Sequence, residues 1–388
     1  MSHLPIGQRV DQPGIIDLGW GHPDPALLPV EEVRRAFDAA LSRFGAQALE
    51  YGQVAGPGPL LEWLIDRIER DEGRRPSPDE LLITSGISGG LDLVLSALTR
   101  PTDTVLVESP TYYLAIRILR DHDLNLVPVA CDDKGMIVEA LAEHLSTSKG
   151  AAGRPRLLYT VPTFNNPSGT SLAQERREEL VELAAAEGLM ILEDDVYREL
   201  AYDGPPPPSL WSLAPSGTVV RLGSFSKSLA PGLRLGWLTA GRDLVRRLAL
   251  GGLLDSSGGV NPLTALAVST LCEAGDFDAH VGRLRRSYRE RRDALVAGLR
   301  RHLPETCRCG PSAGGFFLWV ALPAGIDGQL LLPHAEAAGT SFQPGHRFHT
   351  DGRGQDHLRL AFSLYPPAEL DEAAHRLGKA IRSFTEAS

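Results

Sequence analysis

Two rhythms of apolar and polar positions divide this chain of 388 residues. Through its middle, short continuous apolar runs recur: Leu81-Leu82-Ile83, Thr104-Val105-Leu106-Val107, Leu157-Leu158-Tyr159-Thr160, Leu189-Met190-Ile191-Leu192 and Val219-Val220-Arg221-Leu222. Runs of this length predict short strands buried on both faces. Between them the spacing becomes helical. Over Gln174 to Glu187, Leu180, Leu183 and Ala184 share one side with Glu and Arg opposite, which predicts an amphipathic helix. Strands separated by helices imply a parallel or mostly parallel sheet covered on both faces, so the class is α/β.

From about Phe277 the pattern changes to a long Arg-rich helical stretch carrying Leu284, Tyr288, Leu295 and Leu299. Strand-like pieces follow at Gly315 to Val320 and Leu358 to Phe362, before a closing helix. These predict a smaller α+β domain. A chain of this length exceeds one ordinary core. The expected division is an N-terminal arm with part of the small domain over 1–45, a large domain over 46–280 and a C-terminal small domain over 281–388. Gly204 to Pro208 is expected to be a rigid surface loop, and no internal repeat is found.

The formal net charge is −10, which argues against a nucleic-acid surface and for small-molecule chemistry. Met1-Ser2-His3-Leu4-Pro5 is not a basic stretch leading into an apolar run, and no apolar run is long enough to span a bilayer. A cytoplasmic protein is expected. Cys131, Cys272, Cys307 and Cys309 are too few and too irregular for a disulfide framework or a four-ligand zinc site, so no metal is expected.

The densest chemistry lies in Ser224-Phe225-Ser226-Lys227-Ser228-Leu229-Ala230-Pro231-Gly232-Leu233-Arg234-Leu235-Gly236-Trp237. A lysine amine condenses with an aldehyde to form a Schiff base, and Ser224, Ser226 and Arg234 can hold a phosphate dianion by charge-assisted hydrogen bonds. The grouping points to pyridoxal 5'-phosphate, although a surface lysine beside a Ser-rich turn has the same composition. The segment resembles the cofactor-lysine signature of the fold-type I, class I/II aminotransferases, most closely the branch with kynurenine and 2-aminoadipate aminotransferases. The resemblance extends from about Ile15 to Leu377 as an ordered series of motifs. It implies that Lys227 is the Schiff-base lysine. It also implies a large, cofactor-binding domain with a mostly parallel, seven-stranded-type sheet sandwiched by helices, plus the smaller α+β domain.

Further motifs carry the resemblance. Thr84-Ser85-Gly86-Ile87-Ser88-Gly89-Gly90-Leu91 is a small-residue turn between a strand and a helix, where backbone N–H groups favour an anion. Alone it is also ordinary connection chemistry. The family match puts the Ile87 N–H and the Ser88 backbone and hydroxyl on the cofactor phosphate. Gly89 and Gly90 depart from the bulkier amide or alanine of many relatives, which points to a looser pocket or an unusual substrate. In Ser109-Pro110-Thr111-Tyr112-Tyr113, Tyr112 is assigned the stack on the pyridine ring, leaving Tyr113 to packing. In Val161-Pro162-Thr163-Phe164-Asn165-Asn166-Pro167-Ser168-Gly169, Asn166 resembles the asparagine that bonds the cofactor's phenolic oxygen, and it stands among the substrate contacts.

Glu193-Asp194-Asp195-Val196-Tyr197 sets three acids directly after a buried strand. A partly buried carboxylate opposite the pyridine nitrogen keeps that nitrogen protonated, and the spacing to Tyr197 gives Asp194 this role. Tyr197 then donates to the phenolic oxygen. Arg359, a charge in the apolar run Leu358 to Ser363, snorkels or pairs with an anion. The family uses this arginine to clamp the substrate α-carboxylate. Gly19-Trp20-Gly21-His22-Pro23 matches the segment that closes over the substrate, with Gly21 offering backbone and Trp20 and His22 as wall residues. Tyr51 resembles the tyrosine that reaches the neighbouring subunit's cofactor phosphate, which implies a homodimer with shared active sites.

The activity implied is transfer of an amino group from an L-amino acid to a 2-oxo acid, with Lys227 as both base and acid. The same cofactor contacts also suit elimination, replacement or cyclisation at the β or γ carbon, for example of an S-adenosylmethionine-like substrate, and the Gly89-Gly90 pair keeps that alternative open. A cofactor-sensing regulatory domain is a further alternative. It needs a DNA-binding region, and the roughly fourteen residues before Ile15 are too few for one.

Overall fold

The apolar runs of the middle of the chain pair into a single sheet. The structure, a computed structural model, describes residues 12–150, 153–310 and 312–387; the Met1 to Pro5 opening lies outside them. After β1 (Ile16–Asp17), the sheet takes β2 (Leu81–Thr84), β3 (Thr104–Ser109), β4 (Asn125–Asp132), β5 (Gly135–Met136), β6 (Leu157–Thr160), β7 (Met190–Asp194), β8 (Val219–Ser224) and β9 (Gly236–Thr239). Their spatial order is β2-β9-β8-β7-β6-β3-β4-β5. The pairs β3–β4, β3–β6, β6–β7 and β7–β8 are parallel, while β9 runs antiparallel to both neighbours. The two-residue β5 only turns back on β4. Seven main strands therefore form the expected, mostly parallel sheet.

Alternate side chains of a strand point to opposite faces. Leu106, Leu158 and Ile191 enter one core with Ile83, Trp211 and Phe225. Val107, Tyr159, Leu192 and Leu222 enter the other. The predicted helix forms over Gln174–Glu187 and buries Leu180, Val181 and Ala184. It also buries Arg177, which the amphipathic pattern placed on the polar side. The reason is the loop beside it: the guanidinium donates to the carbonyls of Pro162, Leu172 and Pro208 and to the Thr163 hydroxyl. One planar fork thus pins both ends of the loop that carries Asn166.

The remaining strands are β10 (Arg308–Cys309), β11 (Phe317–Ala321), β12 (Thr340–Ser341), β13 (Gln343–Pro344) and β14 (His357–Ala361). Four of them make an antiparallel sheet in the order β10-β11-β14-β13. The helices Asp276–His302 and Pro367–Ala387 pack together beside it, and Leu284, Tyr288, Phe316, Leu358 and Leu377 share a third core. This is the smaller α+β unit. Pairing of β1 with β12 draws the N-terminal arm onto it, with Ile16 and Leu18 in the same core. The helix Val30–Phe44 lies instead on Pro262–Glu273, against the large core.

Candidate active site

The carboxyl end of β7 sets the geometry. By strand alternation Asp194 shares the face of Leu192 and Tyr159, while Glu193 and Asp195 turn to the other face. Asp194 is buried, its Oδ2 accepts the Tyr159 hydroxyl at 2.7 Å, and its Oδ1 has no hydrogen-bond partner. Behind it, Glu193 accepts the backbone N–H groups of Leu210 and Trp211. Asp195 pairs with Arg198 at 2.7 Å and Arg221 at 2.8 Å, and both arginines also pair with Glu72.

Just beyond β8 the chain turns and presents Lys227, whose Nζ donates to the Gly21 carbonyl at 3.0 Å. Arg359, on β14, reaches the same place from the small unit. It donates to Asn166 Oδ1 at 2.9 Å and to the Gly19 carbonyl at 2.5 Å, and its buried Nε has no partner. Its guanidinium lies 4.2 Å from the Phe317 ring centre and 4.9 Å from that of Phe348. The arm is held over both cations by a close pass. A Cβ on Gly21 would come within 2.3 Å of the Phe317 ring, so only glycine permits that approach. Trp20 and His22 flank it with their rings stacked, 5.7 Å between centres.

On the other side of Lys227, the Ser224 and Ser226 hydroxyls bond each other at 2.9 Å. Arg234 donates to the Ser85 carbonyl at 3.2 Å and lies over Gly86, which has φ +74°. The helix Gly86–Leu98 begins here, with Ile87 and the exposed Ser88 in its first turn. Tyr112 precedes the helix Tyr113–Asp121 and interacts electrostatically with Asp194, Arg234 and Arg359. Tyr197 is buried and approaches Asn166. The structure thus brings Asp194, Arg234, Arg359 and the Gly21 carbonyl to Lys227, while Tyr51 is 87% exposed. Tyr113 packs edge to face with Phe348, its ring centre 6.0 Å from the Arg359 guanidinium.

A profile described as aminotransferase class I and II matches residues 13–377. The chain belongs to this family. It is 33% identical over 96% of its length to aromatic-amino-acid aminotransferase 1 of Thermococcus litoralis, covering 89% of that protein. Identity to the 2-aminoadipate transaminase of Thermus thermophilus is 34%, with 98% of this chain and 93% of that one covered. Among solved structures, the Pyrococcus horikoshii kynurenine aminotransferase in complex with PMP superposes with a TM-score of 0.90 at 33% identity, covering 96% of this chain and 91% of that one.

The burial of this aminotransferase site moves its charges. Lys227 is lowered to about 8 by burial and by the positive charge of Arg359 and Arg234, with Asp194 pulling the other way. Burial raises Asp194 to about 6, against the lowering effect of the Tyr159 hydroxyl. Burial also lowers Arg359, to about 10. Behind the site, burial pushes Glu193 up, whereas Arg198 and Arg221 outweigh burial and hold Asp195 down. Gly90 is buried, and an added Cβ would meet Leu222 at 3.1 Å and Thr84 at 3.3 Å, while one on Gly89 would meet only Ser85. The relatives, named as aminotransferases, do not favour the elimination alternative.

Sequence reasoning did not single out Tyr159, Phe317 or Phe348 as site residues. Tyr159 carried a signal, because a tyrosine in an otherwise aliphatic buried run needs a partner for its hydroxyl. Phe317 and Phe348 carried none, since packing against a guanidinium leaves no pattern in the chain.

Proposed function

We propose that this aminotransferase transfers the amino group of an L-amino acid to a 2-oxo acid on pyridoxal 5'-phosphate, with Lys227 moving the proton. The residues suit that cofactor. Asp194 Oδ1 is a buried acceptor without a donor, Tyr112 supplies an aromatic face, and Ser224, Ser226, Arg234 and the start of the helix Gly86–Leu98 concentrate phosphate-binding chemistry. Bound pyridoxal phosphate supplies an aldehyde that takes up the amino group and a protonated ring that draws off the electrons left by the departing α-proton.

The chain's own residues do the rest. Arg359 binds the α-carboxylate, with Asn166 orienting its fork and its unpartnered Nε available as a further donor. Asn166 and Tyr197 hold the phenolic oxygen. Ile87 and Ser88 hold the phosphate. The Gly21 backbone, Trp20 and His22 close over the substrate and exclude water. Lys227, with its ammonium form disfavoured, takes the α-proton as a neutral amine and returns a proton as an ammonium.

The observation that carries this reading is the position of Lys227 between Asp194 and Arg359, on the Gly21 carbonyl of the closing arm. Borohydride reduction of the cofactor-loaded protein followed by peptide mapping should label Lys227. Label on Lys134, Lys149 or Lys379, the remaining lysines, refutes it. A single amino donor without oxo acid should leave the cofactor in its aminated form, which an eliminating enzyme would not do.

The reading extends to a homodimer in which Tyr51 serves the neighbouring subunit. Tyr51 and Gly52 lie against 258–260, and Leu49, Leu250 and Leu253 are each at least 70% exposed. Such apolar exposure suits a covered surface. A monomer in sedimentation at assay concentration would end that part. The boundary near 280 is supported by the separate cores and the arm by 16–18 on the small core, whereas the helix Val30–Phe44 packs on the large core and so does not support placing all of 1–45 with the small domain. A cytoplasmic location is supported by the four free cysteines, which suit a reducing compartment. Among the described residues no helix is long and apolar enough to cross a membrane.

A further inference from the structure

Asp194 obtains its side-chain hydrogen bond from the strand beside it, and from a residue that would otherwise be only core. Tyr159 is fully buried in the middle of β6, in the apolar cluster with Val107, Leu192 and Leu222. Its register partner on β7 is Leu192, two residues before Asp194 and on the same face. Two residues of strand rise about 6.6 Å, a span that a tyrosine side chain leaning along the strand covers. Its hydroxyl therefore meets Asp194 Oδ2 at 2.7 Å. Phenylalanine would fill the same apolar space, so packing alone does not require the hydroxyl.

We propose that Tyr159 is a positioning residue for the cofactor ring: its hydroxyl ties down Asp194 Oδ2, keeps Oδ1 turned to the ring nitrogen and keeps the carboxylate ionised. The inference rests on Asp194 being the ring-nitrogen partner. The other groups facing this carboxylate do not substitute for Tyr159. Asp195, next in the chain, repels its charge; Lys227 attracts it but is bonded to Gly21; Tyr112 and Tyr197 interact with it without a hydrogen bond to it. The Val196 backbone N–H also favours the charged form, and that contribution is common to any side chain at 159. A buried carboxylate that loses a donor takes up a proton at higher pH. A neutral acid then no longer favours a charged ring nitrogen.

The test uses Tyr159→Phe, Asp194→Asn and the double variant. The readouts are the dissociation constant for pyridoxal phosphate by equilibrium dialysis, the pH dependence of that constant, and thermal melting of the cofactor-free proteins. Tyr159→Phe should weaken cofactor binding on the order of tenfold, as loss of a hydrogen bond to a charged group does. The pH below which binding weakens should rise by about one unit. In the Asp194→Asn background the same change should have less than about a twofold effect, because the partner is already gone. An unchanged dissociation constant and pH midpoint in Tyr159→Phe overturns the proposal, as does an equal loss in both backgrounds, which marks a packing role. If Asp194→Asn binds cofactor as wild type does, the assignment of Asp194 falls and the proposal falls with it. Wild-type protein that binds no pyridoxal phosphate refutes the cofactor itself.

Discussion

The two faces of the large sheet at the carboxyl end of β7 treat neighbouring carboxylates in opposite ways. On one face Asp194 has a phenol and a nearby amine, and one of its oxygens is left without a donor. On the other, Asp195 sits in a set of ion pairs with Arg198 and Arg221, joined by Glu72, and its Oδ1 too has no hydrogen-bond partner. Both are buried, so burial does not separate them. Partners do: Asp194 is raised to about 6 and Asp195 is held below the usual carboxylate range. Among the described residues the first face gives Asp194 no ion pair, while the second holds Asp195 between two arginines that tie β7, β8 and the helix Gly58–Glu72 together.

The comparison can be broken most sharply on the ligand face. Lys227→Ala should lower turnover on the order of 10⁴-fold or more while leaving the melting temperature nearly unchanged, because its role is proton transfer. Residual turnover within tenfold of wild type would remove Lys227 from the mechanism. Asp194→Asn should follow, with turnover down about 10²- to 10³-fold and no loss of thermal stability. Asp195→Asn should reverse that pattern. Breaking one partner out of a buried ion-pair set costs about 3 kcal/mol, so denaturant unfolding should show the loss while turnover of the folded protein stays within a few-fold. If Asp195→Asn proves the more inactive and Asp194→Asn the less stable, the two faces have been exchanged.

Smaller effects sharpen the contrast. Arg359→Lys should raise the Michaelis constant for every amino donor about tenfold, since an ammonium cannot reproduce the fork, and should hardly change cofactor affinity. Equal Michaelis constants would exclude a carboxylate clamp. Last, capture of pyridoxal phosphate by cofactor-free protein should accelerate as pH rises through about 8, the value to which Lys227 is lowered. The sign follows from the nucleophile: only the neutral amine attacks, and burial together with Arg359 and Arg234 disfavours the ammonium. Stopped-flow absorbance across pH 6 to 10 measures the midpoint, and one near that of free lysine would show that the site does not desolvate this amine.

Much of the large sheet was legible because its strands are buried on both faces and so read as unbroken apolar runs. The helix Gln174–Glu187 was legible in extent but not in facing. Arg177 is charged in the pattern and buried in the fold, since its partners are carbonyls of a loop that the pattern does not describe. The same limit applies to Gly90, where an added Cβ would meet Leu222 and Thr84, neighbours that the pattern does not show.

The sequence by itself determined the strands and helices, the order of the motifs, and the residue types able to hold a phosphate, a ring nitrogen and a carboxylate, because periodicity and functional groups are properties of the chain. Which of the adjacent acids faces the site, which tyrosine supports it and which aromatic rings underlie Arg359 were decided only by the tertiary structure. Those choices depend on strand register, on the face a side chain takes and on how closely the arm at Gly21 can pass Phe317, all of which arise between segments far apart in sequence.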